Sequence, residues 1–321
     1  MKAILVRAFG GPEALSLEEV PAPTPGPGQV VVAAKAVGVN PVEVYVRAGS
    51  YPAKPELPYC PGSDAAGIVE AVGRGVKGVR IGDRVYVYGT ISGAYAAKTL
   101  CAASRVFPLP KSLSFEQGAA LGVPYGTAHR ALFHRGRARK GETVLIHGAS
   151  GGVGVAAVQL ARAAGLKVLG TGGGAEGAAF VKSLGANAAF DHRAPDYQDD
   201  IRNSTNGKGP DLIVEMLANV NLPADLALAA PLGRIVVVGS RGPVQIDPRA
   251  TMMKDLDVLG MSMRNLGSEK DVAALYAALS KGLKSGALKP MIAKSFPLAE
   301  AGRAHEAVMS PGARGKIVLI P

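Results

Sequence analysis

Thr143-Val-Leu-Ile-His147 runs without a break into Gly148-Ala-Ser-Gly-Gly-Val-Gly154, and that turn opens directly into the alanine-rich segment Val155–Ala164. Gly148, Gly151 and Gly154 stand three residues apart, a GxxGxxG variant of the dinucleotide fingerprint. Glycine lets a strand turn tightly into a helix and lets backbone N–H groups approach a pyrophosphate. The helix N-terminus then adds unpaired donors and positive potential. A glycine-rich turn taken alone also fits an ordinary strand-to-helix connection, so the surrounding text decides between the two readings.

That text repeats the same rhythm. Between about 125 and 260 the candidate strands are Thr143–His147, Lys167–Thr171, Ala188–Phe190, Asp211–Met216, Arg234–Val238 and Asp257–Gly260. Helical segments such as Val153–Ala164 and Ala175–Leu184 lie between them. Near-continuous apolar strands alternating with helices imply a parallel sheet covered on both faces. About six such strands make a doubly wound dinucleotide-binding fold.

The second strand of such a fold usually ends in Asp or Glu, which binds the ribose 2′-hydroxyl of NAD. Here it ends Leu169-Gly-Thr-Gly-Gly-Gly174, and the nearest acid, Glu176, lies past the turn. Without that acid nothing repels a 2′-phosphate, and a net charge of +11 attracts it. NADPH is favoured over NADH.

Upstream, residues 1–122 read as β-rich. The run Pro21–Gly28 excludes helix and central strand. Gln29–Val37, Ala66–Val72 and Asp83–Tyr88 read as strands of a compact, barrel-like unit. Downstream, Glu269–Lys284 and Leu298–Met309 read as helices and Lys316–Ile320 as a strand. This last stretch is too small to stand alone and is expected to pack on the first.

Composition narrows the class. With 48% apolar and 19% charged residues the chain is globular rather than disordered. No apolar stretch reaches the roughly 20 residues of a membrane span. Met1–Arg7 is interrupted by charge and reads as a strand rather than a signal peptide, so a cytoplasmic protein is expected. Two cysteines, Cys60 and Cys101, exclude a disulfide framework and any multi-cysteine metal site. The basic cluster Arg130–Lys140 reads as a helix end. His129 and His134, five residues apart, are expected not to share a helix face, and His305 is expected to face solvent or a domain seam.

Several stretches spread over nearly the whole chain carry a resemblance. They are Phe9-Gly-Gly-Pro-Glu13, Gly38-Val-Asn-Pro-Val-Glu43, Pro61-Gly-Ser-Asp64, Thr90-Ile-Ser-Gly93, His147–Gly154, Glu215-Met-Leu-Ala-Asn-Val-Asn221 and Val238-Gly-Ser-Arg-Gly242. On them the chain resembles the zeta-crystallin-type quinone oxidoreductases, zinc-free medium-chain dehydrogenases/reductases. The resemblance implies an α/β protein with a GroES-like β-rich catalytic domain over 1–122 and an NADP-binding Rossmann domain over 123–260, with 261–321 returning to the catalytic domain. Zinc relatives carry Cys where this chain has Asn40 and His where it has Ser63. Zinc needs such thiolate and imidazole ligands, so no metal is expected.

Asn40, Tyr45 and Tyr51 are the candidate catalytic residues, with Tyr59 beside them in a substrate cleft; by the same resemblance Asn40 and Tyr45 match positions that face the nicotinamide and substrate. Ser150, Gly151, Gly152 and Val153 are expected at the pyrophosphate, and Gly173 and His192, with Arg193, at the adenosine ribose and its phosphate. Tyr45, Asn221, Val238, Gly239, Ser240, Arg241, Met261, Ser262 and Met263 are expected along the rest of the cofactor, and Lys316 as a phosphate contact. The implied activity is NADPH-dependent quinone reduction without metal or flavin, in relatives by one-electron steps to semiquinones. Reduction of an enone or alkenal is the neighbouring alternative. Relatives form dimers or tetramers, and a long edge strand near 235–260 is the expected seam of a homo-oligomer. The basic charge also permits a role like that of zeta-crystallins as AU-rich RNA-binding or structural proteins. Against it stand 5% aromatic residues and no tryptophan for stacking.

Overall fold

The computed structural model describes residues 1–321 and opens on short strands. In chain order these are β1 (Lys2–Val6), β2 (Leu15–Glu19), β3 (Gln29–Val39), helix α1 (Pro41–Arg47), β4 (Asp64–Val72), β5 (Arg84–Tyr88), β6 (Lys98–Ala102) and β7 (Val106–Pro108). The Pro21–Gly28 run forms neither helix nor strand, since proline lacks the N–H both need. Helices α2 (Phe115–Ala119) and α3 (Gly122–His129) follow, and α3 continues into a π-helical turn over Arg130–Arg135.

Strand and helix then alternate. The series is β8 (Thr143–Ile146), α4 (Gly152–Ala163), β9 (Lys167–Gly172), α5 (Gly174–Ser183), β10 (Ala188–Asp191), α6 (Tyr197–Ser204), β11 (Leu212–Glu215), α7 (Ala218–Leu228), β12 (Arg234–Val237), α8 (Arg249–Met252) and β13 (Asp257–Gly260). The chain ends with α9 (Glu269–Lys284), β14 (Ile292–Pro297), α10 (Ala301–Met309) and β15 (Lys316–Ile320).

Two compact units result: residues 1–123 with 290–321, and residues 124–289. In the first, a seven-stranded sheet runs β14-β15-β3-β4-β5-β7, with β6 also paired to β3. Its valine-rich strands bury Val30, Val32, Val37, Val69, Val85, Val87 and Leu319 in one core. In the second, six strands lie parallel in the order β10-β9-β8-β11-β12-β13. That is the doubly wound order, which reverses direction beside β8 and places ligand loops at the strands' carboxyl ends. Leu145, Leu169, Ile213 and Ile235 from four adjacent strands form the core under α6 and α7 with Ile201, Leu222 and Leu226.

Two expectations differ from this arrangement. Residues 261–289 belong to the second unit, so the chain rejoins the first at 290 rather than 261. Gln159 of α4 holds them there: its Nε2 donates to the Lys289 carbonyl at 2.8 Å and its Oε1 accepts the Lys289 N–H at 2.8 Å. The sheet edge near 235–260 is not a long strand either. β12 lies inside the sheet, and the edge is the four-residue β13.

Candidate functional site

At the carboxyl end of β8 the glycine turn takes the form its spacing requires. Gly148 adopts a positive φ of 56°, which suits a residue without a Cβ. Gly151 N–H donates to the Gly148 carbonyl at 3.0 Å. A Cβ on Gly154 would collide with the same carbonyl and lie 2.5 Å from the Ala149 Cα. The helix N-terminus comes this close to the strand only because that position is glycine. Helix α4 is capped by Gly151, which has no side chain to satisfy its N–H groups, and its first turn holds no acidic residue. Ser150, Gly151, Gly152 and Val153 are all partly exposed. A diphosphate fits this cradle of free donors at a positive helix end.

The second-strand turn lies alongside. Gly174 N–H and Arg193 N–H both donate to Asp191 Oδ1, at 2.7 and 3.0 Å. These backbone donors hold the Asp191 carboxyl below its usual range. A Cβ on Gly173 would stand 3.2 Å from an Arg193 guanidinium nitrogen and 3.3 Å from His192 Cε1. The turn therefore joins glycine backbone, an exposed guanidinium and an exposed imidazole in one place, a donor set suited to a phosphate monoester. Partial desolvation by its neighbours lowers the His192 pKa, so the arginine supplies the fixed charge. Sequence reasoning overlooked Asp191, because the acid comes from the third strand rather than the second.

Below both turns lies a buried polar cluster. His147 Nε2 is 2.9 Å from Asp225 Oδ1 and 3.7 Å from Glu215 Oε2, and its Nδ1 is 3.3 Å from Thr171 Oγ1. Asn221 donates its amide to both oxygens of Glu215 at 3.2 Å, so that nitrogen is spent on the protein rather than a ligand. Burial raises the carboxyls of Glu215 and Asp225 to about 7 and lowers the His147 imidazole. Beside the cluster, Val238 N–H donates to the Glu215 carbonyl at 2.8 Å and Arg241 N–H to Asn219 Oδ1 at 2.8 Å. Gly239 approaches Met216 so closely that a Cβ would lie 2.5 Å from its carbonyl. Ser240 and Arg241 are exposed, and Met261, Ser262 and Met263 are partly exposed beyond β13.

In the first unit Asn40 is only 3% exposed. Its amide donates to Glu43 Oε1 at 3.1 Å and Asp64 Oδ2 at 3.0 Å, and its carbonyl accepts from Lys316 Nζ. Lys316 also donates to Asp64 at 3.1 Å. Expected at a phosphate, it is instead 4% exposed and committed to this ion pair. The chain of contacts continues from Glu43 to the Tyr95 hydroxyl at 2.9 Å, then to His305 Nε2 at 2.9 Å, and from His305 Nδ1 to Arg47 at 3.3 Å. His305, expected at solvent or a seam, is thus buried. The alternation on α10 turns it toward the sheet, where it packs edge-on to Tyr95.

Tyr45 and Tyr51 come together because the turn after α1 folds back, with Tyr51 N–H donating to the Tyr45 carbonyl at 3.2 Å. Both rings are half-buried. Tyr59 has a buried hydroxyl without a hydrogen-bond partner, and burial pushes it up to about 12. Zinc does not fit at Asn40 and Ser63: the side chains are an amide and a hydroxyl, and the Lys316 ammonium already supplies the positive charge.

His129 and His134 do share a face. Their rings lie 5.5 Å apart, edge to face. The reason is the π-helical turn, whose wider winding stacks residues i and i+5, where α-helical arithmetic separates them.

Comparison with known proteins agrees with both units. Residues 26–111 match the alcohol dehydrogenase GroES-like domain, and residues 152–281 match the zinc-binding dehydrogenase family. A GroES-like domain beside a Rossmann domain defines a medium-chain dehydrogenase/reductase. The quinone oxidoreductase of Rattus norvegicus is 50% identical over 323 residues, covering all of this chain and 98% of its own. Among solved structures, the Escherichia coli quinone oxidoreductase complexed with NADPH has a TM-score of 0.91 at 32% identity, with both chains fully covered. An NAD-dependent alcohol dehydrogenase reaches 0.93 at 30% identity, also over both full chains. The fold is therefore shared across cofactors and substrates, and the sequence identity discriminates. The chain belongs to the zeta-crystallin-type quinone oxidoreductase family.

Proposed function

We propose that the chain is an NADPH-dependent quinone oxidoreductase. Half of its residues are identical, over its full length, to those of a curated quinone oxidoreductase, and this carries the reading. The glycine cradle over Gly148–Val153 would hold the pyrophosphate. Gly173, His192 and Arg193 would hold the adenosine ribose and its 2′-phosphate. Asn221, residues 238–241 and residues 261–263 would flank the remainder. Bound NADPH supplies reducing equivalents as hydride.

A quinone becomes aromatic on reduction and needs no Lewis acid, so the protein's task is to position the acceptor and to offer hydrogen bonds. The half-buried Tyr45 and Tyr51 hydroxyls suit that role at the substrate's oxygens. Asn40 serves from beneath, because its amide is fully engaged by Glu43, Asp64 and Lys316. The chemistry runs without zinc, and the Asn40–Lys316–Asp64 arrangement supports this.

We further place the protein in the cytoplasm as a homo-oligomer associating along the short β13 edge, where Leu232, Met252, Met253 and Val258 are exposed. No helix is long and apolar enough to cross a membrane. The discriminating experiment is turnover with NADPH of a quinone against an alkenal, together with binding of AU-rich single-stranded RNA across a salt series. Turnover of the quinone alone is expected. Preference for the alkenal would replace the substrate assignment, and tight, steeply salt-dependent RNA binding without turnover would replace the enzyme.

A further inference from the structure

We propose that His147 is a positioning residue for dinucleotide binding, tying three ligand loops together from beneath, an inference that rests on reading the glycine turn as the NADPH site.

Thr171 makes the first connection. Its hydroxyl accepts the Gly148 N–H at 3.1 Å and its carbonyl accepts the Ala149 N–H at 2.8 Å. One residue at the end of β9 therefore fixes the first two residues of the pyrophosphate turn. Thr171 also leads directly into Gly172–Gly174, the turn at the adenosine ribose. His147, the last residue before the glycine turn, faces that hydroxyl with Nδ1 at 3.3 Å. Its other nitrogen faces Asp225 of α7 at 2.9 Å and Glu215 of β11 at 3.7 Å. Glu215 in turn accepts from Leu217 N–H and from the Asn221 amide, which sets the loop after β11.

A neutral imidazole presents one donor and one acceptor, and here a hydroxyl meets one nitrogen and a carboxyl the other. Thr171, Glu215 and Asp225 are among the most buried residues of the chain. In such surroundings a partner removed is costly, because the group left behind loses both water and its hydrogen bond. The carboxyls of Glu215 and Asp225 share a hydrogen bond as well, so the cluster has little slack. Glu215 acts on His147 by its charge, and His147 in turn lowers the His192 imidazole after β10. Burial holds the imidazole toward its neutral form, as the arrangement requires.

The test uses four variants of the full chain, with KM for NADPH, kcat at saturating NADPH, and direct binding of NADPH and of ADP-ribose. Thr171→Val removes the hydroxyl that orders the turn. It is expected to raise KM and both dissociation constants about tenfold while kcat stays within about twofold. Thr171→Ser keeps the hydroxyl and is expected to restore binding. His147→Gln retains one donor and one acceptor and is expected to stay near the parent, whereas His147→Leu matches Thr171→Val. Combining His147→Leu with Thr171→Val is expected to cost no more than either alone. If His147→Leu does not fold, His147→Ala takes its place in the comparison, with the Val and Ser variants at 171 beside it.

Unchanged binding in His147→Leu or in Thr171→Val, a parallel fall in kcat, or full additivity would overturn the proposal. One equivalent of divalent metal bound by the parent and lost in His147→Leu would do so as well, since His147, Glu215 and Asp225 would then be its ligands. A parent chain that binds neither NADPH nor ADP-ribose would overturn the site reading itself.

Discussion

Lys316 shows how one residue changes role between sequence and fold. The resemblance implies a phosphate contact at Lys316, yet its ammonium is buried between Asn40 and Asp64. Removing one member of a buried ion pair leaves the other charge uncompensated, at about 3–5 kcal/mol. Lys316→Met is therefore expected to lower the urea midpoint strongly, and a loss below about 1 kcal/mol would contradict the pairing. The free cation lies elsewhere, at Arg193. Arg193→Gln is expected to raise KM for NADPH about tenfold and to leave KM for NADH unchanged, since a charge-assisted bond to the 2′-phosphate is all it removes. Equal effects on both cofactors would show that Arg193 acts on something else.

At the scale of elements, the sequence disclosed what local periodicity and spacing encode. The six parallel strands and the glycine turn were legible because apolar runs and three-residue glycine spacing are local signals. The π-helical turn over Arg130–Arg135 was not, since nothing in that composition announces an extra residue per turn. It brings His134 against His129, and burial with this second imidazole lowers His129 to about 4. In a proton NMR titration the His129 ring resonances are expected to keep their neutral positions to pH 5 and to move only near 4. A midpoint near 6.5 would mean an ordinary helix there. The contacts from Asn40 to Lys316 and from Tyr95 to His305 join residues far apart in the chain, so only the fold could reveal them. Asp191 was missed for a related reason, as it serves the second-strand turn from the neighbouring strand.

For the whole molecule, buried histidines tie stability to pH. An unfolded histidine titrates near 6.5, whereas His305 is lowered to about 3, first by burial and then by Arg47. Its contribution is complete above about 6.5 and drains away as pH falls toward about 3, by about 1.4 kcal/mol per unit. His305→Gln is expected to cost more stability at pH 7 than at pH 4 in urea unfolding, and an equal cost at both would contradict this. Function is tested most directly by initial rates of nicotinamide oxidation with phenanthrenequinone, comparing NADPH and NADH in chelator-treated protein. Rapid oxidation of NADPH and little of NADH is the predicted result. No turnover with either cofactor, while both still bind, would contradict the account of the chain as an NADPH-dependent quinone oxidoreductase.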